Sequence, residues 1–192
     1  MKILAISGSL RKVSSNTQLL RACLRLTPPD VEMTLYDALG DVPPFNPDID
    51  DLDNGIAPPG VLALREALRA NDALLISSPE YAHGVSGVMK NALDWLVGSG
   101  EMSSRPTALI NASPRSLHAH GQLMEVLRTV TFTEVIEGLL TVPLSGRKTD
   151  EVSLAADPDV APVLVKTIEA LIQAVRNTAP PEPLTLSPIG AR

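Results

Sequence analysis

Short apolar runs alternate with stretches of helical spacing along most of this chain. Near its start the run Ile3-Leu4-Ala5-Ile6 breaks into Ser7-Gly8-Ser9 and a small polar loop. Leu19, Ala22, Cys23 and Leu26 then recur at helical spacing. That order predicts a buried strand, a loop at its carboxyl end, and a helix opening near Asn16. Val31–Tyr36 alternates as a second strand, Val61–Ala70 reads as a helix, and Ala73–Ser77 as a third, fully buried strand. In a helix expected over Gly87–Val97, Met89, Ala92, Leu93 and Leu96 share one face. Thr107–Ala112 is a fourth strand, Gly121–Val130 a helix, and a fifth strand falls within Val135–Val142. Pro158–Arg176 closes the series as a helix with Ile168, Leu171, Ile172 and Val175 as its core stripe. Continuous apolar strands alternating with helices predict a three-layer α/β domain, a parallel sheet covered on both faces.

Two segments break the pattern. Asp37–Gly60 holds five prolines and six aspartates, so it is a long irregular excursion. Loops of that length in compact domains are usually functional lids or interface arms. Residues 179–192 contain Pro180, Pro181, Pro183 and Pro188 with few core formers, and read as a disordered tail. The expected division is one domain over 1–178 followed by that tail. No internal repeat is visible.

Composition narrows the function classes. At 192 residues the chain suits one well-cored domain, and aromatics at 3% leave the core to Leu, Val, Ile and Ala. Net charge is −6 and no Lys/Arg stripe forms, which argues against nucleic acid as a partner. No apolar run reaches the length of a membrane span, and no signal sequence is recognised. With the first strand beginning at Lys2 there is no room for a leader, and the expected location is cytoplasmic. Cys23, the single cysteine, lies on the apolar side of the first helix and reads as a buried small hydrophobe.

The first loop carries the chemistry. A strand–loop–helix unit aims loop amides and a helix N-terminus at one point, where an anion is favoured. Ser9, Ser14, Ser15 and Thr17 add hydroxyls, and Arg11 adds a charged fork suited to phosphate oxygens. The pattern fits a phosphate monoester. A nucleoside triphosphate loop needs G-x-x-x-x-G-K-[ST], which is absent, and of the dinucleotide pattern G-x-G-x-x-G only Gly8 is present. Asp37, after the second strand, imitates the ribose-binding acid of that pattern but lacks the glycines. The competing reading is that Ser15 or Asn16 merely caps a helix.

A second motif, Ser78 to Trp95 (SPEYAHGVSGVMKNALDW), follows the third strand. In an open parallel sheet, ligands sit outside the carboxyl ends of the strands where the strand order reverses. Pro79 fixes a turn there, Tyr81 offers an aromatic ring, and Gly84 and Gly87 allow close backbone approach. A flat ring system with a phosphate tail fits the two loops together, and FMN is such a molecule.

The stretches ISGSLRKVSSNTQLL, VPPFNPDID and SSPEYAHGVSGVMKNALDWL resemble the NADPH-dependent FMN reductases. This is the flavodoxin-like group that includes quinone and chromate reductases, and the likeness extends over residues 1–176. The resemblance implies a five-stranded parallel sheet in the order 2-1-3-4-5 with helices on both faces. It implies an FMN phosphate held by Ser9, Arg11, Ser15, Asn16 and Thr17. Pro79, Glu80, Tyr81, His83 and Gly84 would border the ring, with Ser113 as a further contact. No catalytic side chain is implied, because FMN carries the hydride from NADPH or NADH to a quinone, flavin or other acceptor by a ping-pong mechanism. A homodimer or homotetramer is also implied. Two alternatives remain, a flavodoxin-like electron carrier and a non-catalytic phosphate-ligand-binding domain.

The chain departs from the family pattern in two places. Ala82 stands where the family has Asn. The turn after the fourth strand, Ala112-Ser113-Pro114-Arg115-Ser116-Leu117-His118-Ala119-His120-Gly121, replaces a glycine-rich one. His118-x-His120 invites a metal reading, but a metal needs three or four ligands and no cysteine or carboxylate cluster accompanies the pair, so none is expected. His83 reads as a loop residue beside the flavin rather than a general base. Lys90 and Asp94 form an i,i+4 ion pair and Trp95 serves packing.

Overall fold

A computed structural model describes residues 1–178 apart from residues 131, 132, 143, 145, 146 and 148. The tail expected over 179–192 therefore lies outside the described residues. Strand β1 (Lys2–Ser7) leads into helix α1 (Ser15–Leu26), strand β2 (Glu32–Tyr36), helix α2 (Pro59–Arg69) and strand β3 (Ala73–Ser77). Two short strands, β4 (Glu80–Tyr81) and β5 (Gly84–Val85), precede helix α3 (Gly87–Asp94) and strand β6 (Pro106–Asn111). Helix α4 (Leu117–Thr129), strand β7 (Thr133–Thr141) and helices α5 (Glu151–Ala156) and α6 (Ala161–Asn177) complete the described chain.

The main sheet has the order β2-β1-β3-β6-β7, with every pairing parallel. Counted within this sheet alone, that is the expected 2-1-3-4-5. The order reverses between β1 and β3, so their carboxyl ends open a crevice. Alternate strand residues feed two cores, one on each face. Ile3, Ala5, Leu75 and Ile110 pack with Leu19, Leu20 and Cys23 of α1 and with Leu164, Ile168 and Leu171 of α6. Leu4, Ile6, Leu74, Ile76 and Leu109 pack with Leu64 and Leu68 of α2, Met89 and Leu93 of α3, and Leu123 and Leu127 of α4. Burial pushes the Cys23 thiol up to about 12, so it stays protonated and behaves as a small hydrophobe. No helix among the described residues is long and apolar enough to cross a membrane.

The elements differ from expectation where tertiary contacts override local pattern. Helix α3 stops at Asp94, short of the expected Val97. Helix α4 begins at Leu117, a full turn before the expected Gly121, which places His118 and His120 on it. Helix α5 was not expected; at six residues it is too short for periodicity, and Asp150 caps it by accepting from the Ser153 N–H at 2.9 Å. Helix α6 starts at Ala161 rather than Pro158, because Asp157 and Asp159 turn the chain to meet Arg147 at 2.6 and 2.9 Å.

The excursion between β2 and α2 is fastened by α3. Asn91 acts like a stretch of backbone: its Oδ1 accepts from the Phe45 N–H at 2.8 Å and its Nδ2 donates to the Pro43 carbonyl at 2.9 Å. The Trp95 indole N–H donates to the same Pro43 carbonyl at 2.8 Å, and the Phe45 ring meets Trp95 edge-on at 5.1 Å. Buried Arg65 grips Asp50 with two bonds, at 2.8 and 2.7 Å, and donates to the Trp95 carbonyl at 2.7 Å. Gly60 is required where the start of α2 meets this segment, since a Cβ there would lie 2.3 Å from the Asp41 carbonyl oxygen.

Candidate functional site

The loops after β1 and β3 are knitted together at the crevice. Gly8 donates its N–H to the Ser77 carbonyl at 2.9 Å, and its own carbonyl accepts from the Ser86 hydroxyl at 2.7 Å. A Cβ on Gly8 would stand 2.3 Å from Ser78 Oγ and 2.8 Å from Ser78 Cβ, so only glycine permits the approach. Ser77 continues the seam: its hydroxyl is 2.9 Å from Asn16 Oδ1 and 2.8 Å from the Ile110 carbonyl, sharing one proton between them. Asn16 is thereby buried at the junction of α1, β3 and β6.

The start of α1 has no side-chain cap. Ser14 is its N-cap residue, yet makes no side-chain capping bond, and no acidic residue occupies the first turn. Helix amides in that state favour an anion. Ser9 and Thr17 are held in place by their neighbours: Thr17 Oγ1 lies 2.8 Å from Ser7 Oγ, and Ser9 Oγ accepts from the Arg11 N–H at 3.4 Å. Arg11 and Ser15 are exposed. On the β2 side this region opens into a cleft of about 230 Å³ whose lining includes Ser9, Arg11, Lys12, Thr17 and Arg21.

Across the crevice, β4 and β5 form a tight antiparallel hairpin with Glu80 opposite Val85 and Tyr81 opposite Gly84. Its two turn residues both have positive φ, 50° at Ala82 and 59° at His83. Such a turn matches the right-handed strand twist and prefers Asn or Gly. The departure at Ala82 is therefore a matter of backbone strain, beyond the lost polar side chain. We expect Ala82→Asn to raise stability by about 1 kcal/mol, the scale of the left-handed penalty, read as a higher urea midpoint at unchanged slope.

Glu80 joins the hairpin to α4. Its Oε2 accepts from the Ala119 N–H at 2.9 Å, and its Oε1 lies 3.3 Å from His83 Nδ1. The His83 and His118 rings meet edge-on at 4.7 Å, and Gln122 Nε2 donates to the His83 carbonyl at 3.2 Å. The Ala119 amide, aided by His118 and His83, holds the Glu80 carboxyl below its ordinary value of 4.5. A lowered carboxylate stabilises the fold above that ordinary value, and the contribution is lost as pH falls through the lowered one. Glu80→Gln should therefore lower the melting temperature at pH 7, with the gap from wild type closing as the pH drops well below 4.5. A gap that persists under acid would assign the effect to shape rather than charge.

The loop after β6 is braced by its own polar groups. Asn111 Oδ1 accepts from the Ser113 N–H at 3.1 Å and its Nδ2 donates to the Ser116 carbonyl at 3.3 Å. Ser113 Oγ accepts from the Arg115 N–H at 3.2 Å, so this hydroxyl shapes the turn at the crevice rim. His120 faces a void of about 10 Å³ beside Ser78 and Asn111, room for about one water, and partial burial lowers its pKa. Among the described residues, no group of three or more His, Cys, Asp or Glu is arranged to hold a metal.

A family described as NADPH-dependent FMN reductase matches residues 1–145, which include both loops and the excursion. The chain belongs to this family. It is 37% identical to an NAD(P)H-dependent FMN reductase of Pseudomonas aeruginosa over 137 residues, covering 70% of this chain and 72% of the relative. It is 33% identical to a quinone reductase of Pseudomonas putida over 139 residues, covering 69% of this chain and 71% of the relative. Among solved structures it is similar to FerB, a flavoenzyme NAD(P)H:acceptor oxidoreductase of Paracoccus denitrificans. That similarity has a TM-score of 0.71 and 26% identity, and covers 91% of this chain and 97% of FerB.

As a member of the NADPH-dependent FMN reductases, the chain brings Ser9, Arg11, Ser15, Asn16 and Thr17 together at the start of α1. Pro79, Glu80, Tyr81, His83 and Gly84 sit on the hairpin, and Ser113 in the loop after β6. Asn16 stands apart, since its side-chain oxygen is engaged by Ser77. Sequence reading passed over Ser77, Ser86, Asn111 and Gln122, the residues that lock the loops. Their only signal is a polar residue at a strand end or helix start, which is too common to point to this role.

Proposed function

We propose that this protein is an FMN-dependent NAD(P)H oxidoreductase that passes a hydride from NADPH or NADH to FMN and on to a quinone, flavin or other acceptor. The observation that carries the reading is the crevice between β1 and β3. An uncapped helix start with hydroxyls and Arg11 faces it on one side, and a rigid hairpin bearing exposed Tyr81 on the other. The donor set fits a flavin monophosphate: amides, hydroxyls and one guanidinium suit a phosphate dianion. The nearest carboxylate on the hairpin, Glu80, is directed into the start of α4.

In this reading Ser9, Arg11, Ser15 and Thr17, with the Asn16 amide, hold the phosphate. Pro79, Glu80, Tyr81, His83, Gly84 and Ser113 border the ring, and the Gly8 seam fixes the distance between the two groups. FMN held there would supply the hydride chemistry between NAD(P)H and the acceptor. The acceptor enters the space the nicotinamide leaves, which makes the kinetics ping-pong, and no side chain need act as acid or base.

The same reading includes a cytoplasmic homodimer or homotetramer built on a folding unit of residues 1–178. The excursion supports the assembly, because it exposes Phe45, Ile49, Leu52 and Ile56 on a segment anchored by Asn91 and Trp95. The purified protein should be yellow with extractable FMN, bleach under NADPH or NADH without oxygen, and regain colour with a quinone. FMN that neither nucleotide bleaches would favour an electron carrier. FAD alone, or no flavin, would overturn the reading.

A further inference from the structure

We propose that Arg115 selects the electron acceptor, favouring a quinone whose apolar ring carries an anionic group such as a sulfonate or carboxylate. The inference rests on the oxidoreductase reading above and names an acceptor class for that site. The bound quinone takes up two electrons and two protons, one proton within the hydride and one from water, and leaves as the hydroquinone.

The backbone under Arg115 is fixed. Residues 113–116 form a tight turn closed by the Ser116 N–H to the Ser113 carbonyl at 3.1 Å. Pro114 takes the second position of that turn, where its restricted φ is suited, and Arg115 the third. Asn111 braces both ends, accepting from the Ser113 N–H at 3.1 Å and donating to the Ser116 carbonyl at 3.3 Å. The Arg115 N–H is held by Ser113 Oγ at 3.2 Å. Arg115 is exposed, and its guanidinium has no acidic partner among the described residues. A cation on so fixed a backbone meets a ligand at little ordering cost.

The surroundings are cationic and apolar. The loops after β1, β3 and β6 carry Arg11, Lys12 and Arg115 against one carboxylate, Glu80. The oxygens of Glu80 are taken by the Ala119 N–H at 2.9 Å and by His83 at 3.3 Å. Asp37 follows β2, at the edge of the sheet away from β6. Beyond β7, Asp150 caps α5, and Asp157 and Asp159 hold Arg147. In a chain of net charge −6, an unbalanced cation of this kind favours an anion. Arg11 is assigned above to the FMN phosphate, so Arg115 is the free cation on the β6 side. Leu117, 67% exposed, opens α4 two residues further on, and Tyr81, 51% exposed, lies on the hairpin that Glu80 ties to α4. A neutral quinone leaves Arg115 without a partner, and a small inorganic anion leaves Leu117 and Tyr81 uncovered. An apolar ring bearing a forked anion uses both.

The test uses the FMN-loaded protein and two ligands that accept no hydride, naphthalene-2-sulfonate and the neutral naphthalene-2-sulfonamide, in equilibrium dialysis. Wild type should bind the sulfonate at least about tenfold more tightly, the scale of one charge-assisted hydrogen bond. Arg115→Ala should erase that preference and Arg115→Glu should reverse it, while both keep the main-chain bonds of the turn and retain FMN. In turnover, Arg115→Ala should raise the KM for 1,4-naphthoquinone-2-sulfonate about tenfold and leave that for 1,4-naphthoquinone unchanged. Wild type that binds both naphthalenes equally, or neither, would overturn the proposal, and that comparison needs no variant. A preference for the sulfonate that survives in Arg115→Glu would overturn it too. Neither result touches the oxidoreductase reading, which falls only if the protein lacks FMN or is bleached by neither nucleotide.

Discussion

Replacing Trp95 by alanine should lower stability by about 3–5 kcal/mol, the range for truncating a large buried aromatic. Trp95 is fully buried at the end of α3 among the core residues of one sheet face. Its loss opens a cavity and removes the indole N–H bond to Pro43 and the ring contact with Phe45. Against a typical total of about 5–15 kcal/mol, the variant keeps only part of its stability. Trp95→Phe retains most of the volume but loses the N–H bond, so it should fall well short of the alanine loss. Urea unfolding of both variants checks the order. Limited proteolysis should show new cleavage between residues 44 and 58 in Trp95→Ala, because the excursion loses its anchor. An alanine variant as stable as Trp95→Phe would show that the cavity, and so the packing role, has been misread.

The same contacts explain what the sequence could and could not disclose. Strands β1, β3 and β6 are continuous apolar runs buried on both faces, so their alternation with helices was enough to read the sheet and its three layers. The motifs VPPFNPDID and KNALDW were legible as separate marks of a family, but not as one object. Only the fold shows Asn91 and Trp95 holding Pro43 and Phe45 across about fifty residues of chain. Helix α4 starts a turn before its sequence signal because its capping group is absent from its own sequence. The carboxylate comes from Glu80 on the hairpin, and a tertiary cap leaves no local signal. The hairpin itself was hidden because Ala82-His83 is a poor match for a turn that wants Asn-Gly. At the candidate site the residue types pointing to phosphate were visible in the first loop. The division of labour among them was not, since the Asn16 side-chain oxygen is occupied by Ser77 while Arg11 stands free at the surface.

That division predicts two opposite phenotypes from neighbouring residues. Arg11→Ala should unfold at the same urea concentration as wild type, because the side chain is exposed. It should nevertheless bind FMN at least tenfold more weakly, since a lost charge-assisted bond is worth about 1.5–3 kcal/mol. Asn16→Ala should do the reverse in its first effect. It removes the side-chain bond between α1 and β3 and leaves the buried Ser77 hydroxyl to donate to the Ile110 carbonyl alone. A stability loss of about 0.5–1.5 kcal/mol is expected for one lost internal hydrogen bond, with FMN affinity falling only as the helix start loosens. Tyr81→Ala separates a third role: the ring is half exposed on the hairpin and makes no part of the cradle. It should change kcat or the KM for NADPH while FMN dissociates at the wild-type rate. Flavin dissociation, urea unfolding and steady-state kinetics on the three variants give the complete pattern. If Arg11→Ala holds FMN as tightly as wild type at moderate salt, the start of α1 is not the phosphate cradle. The flavin would then have to be anchored from another loop.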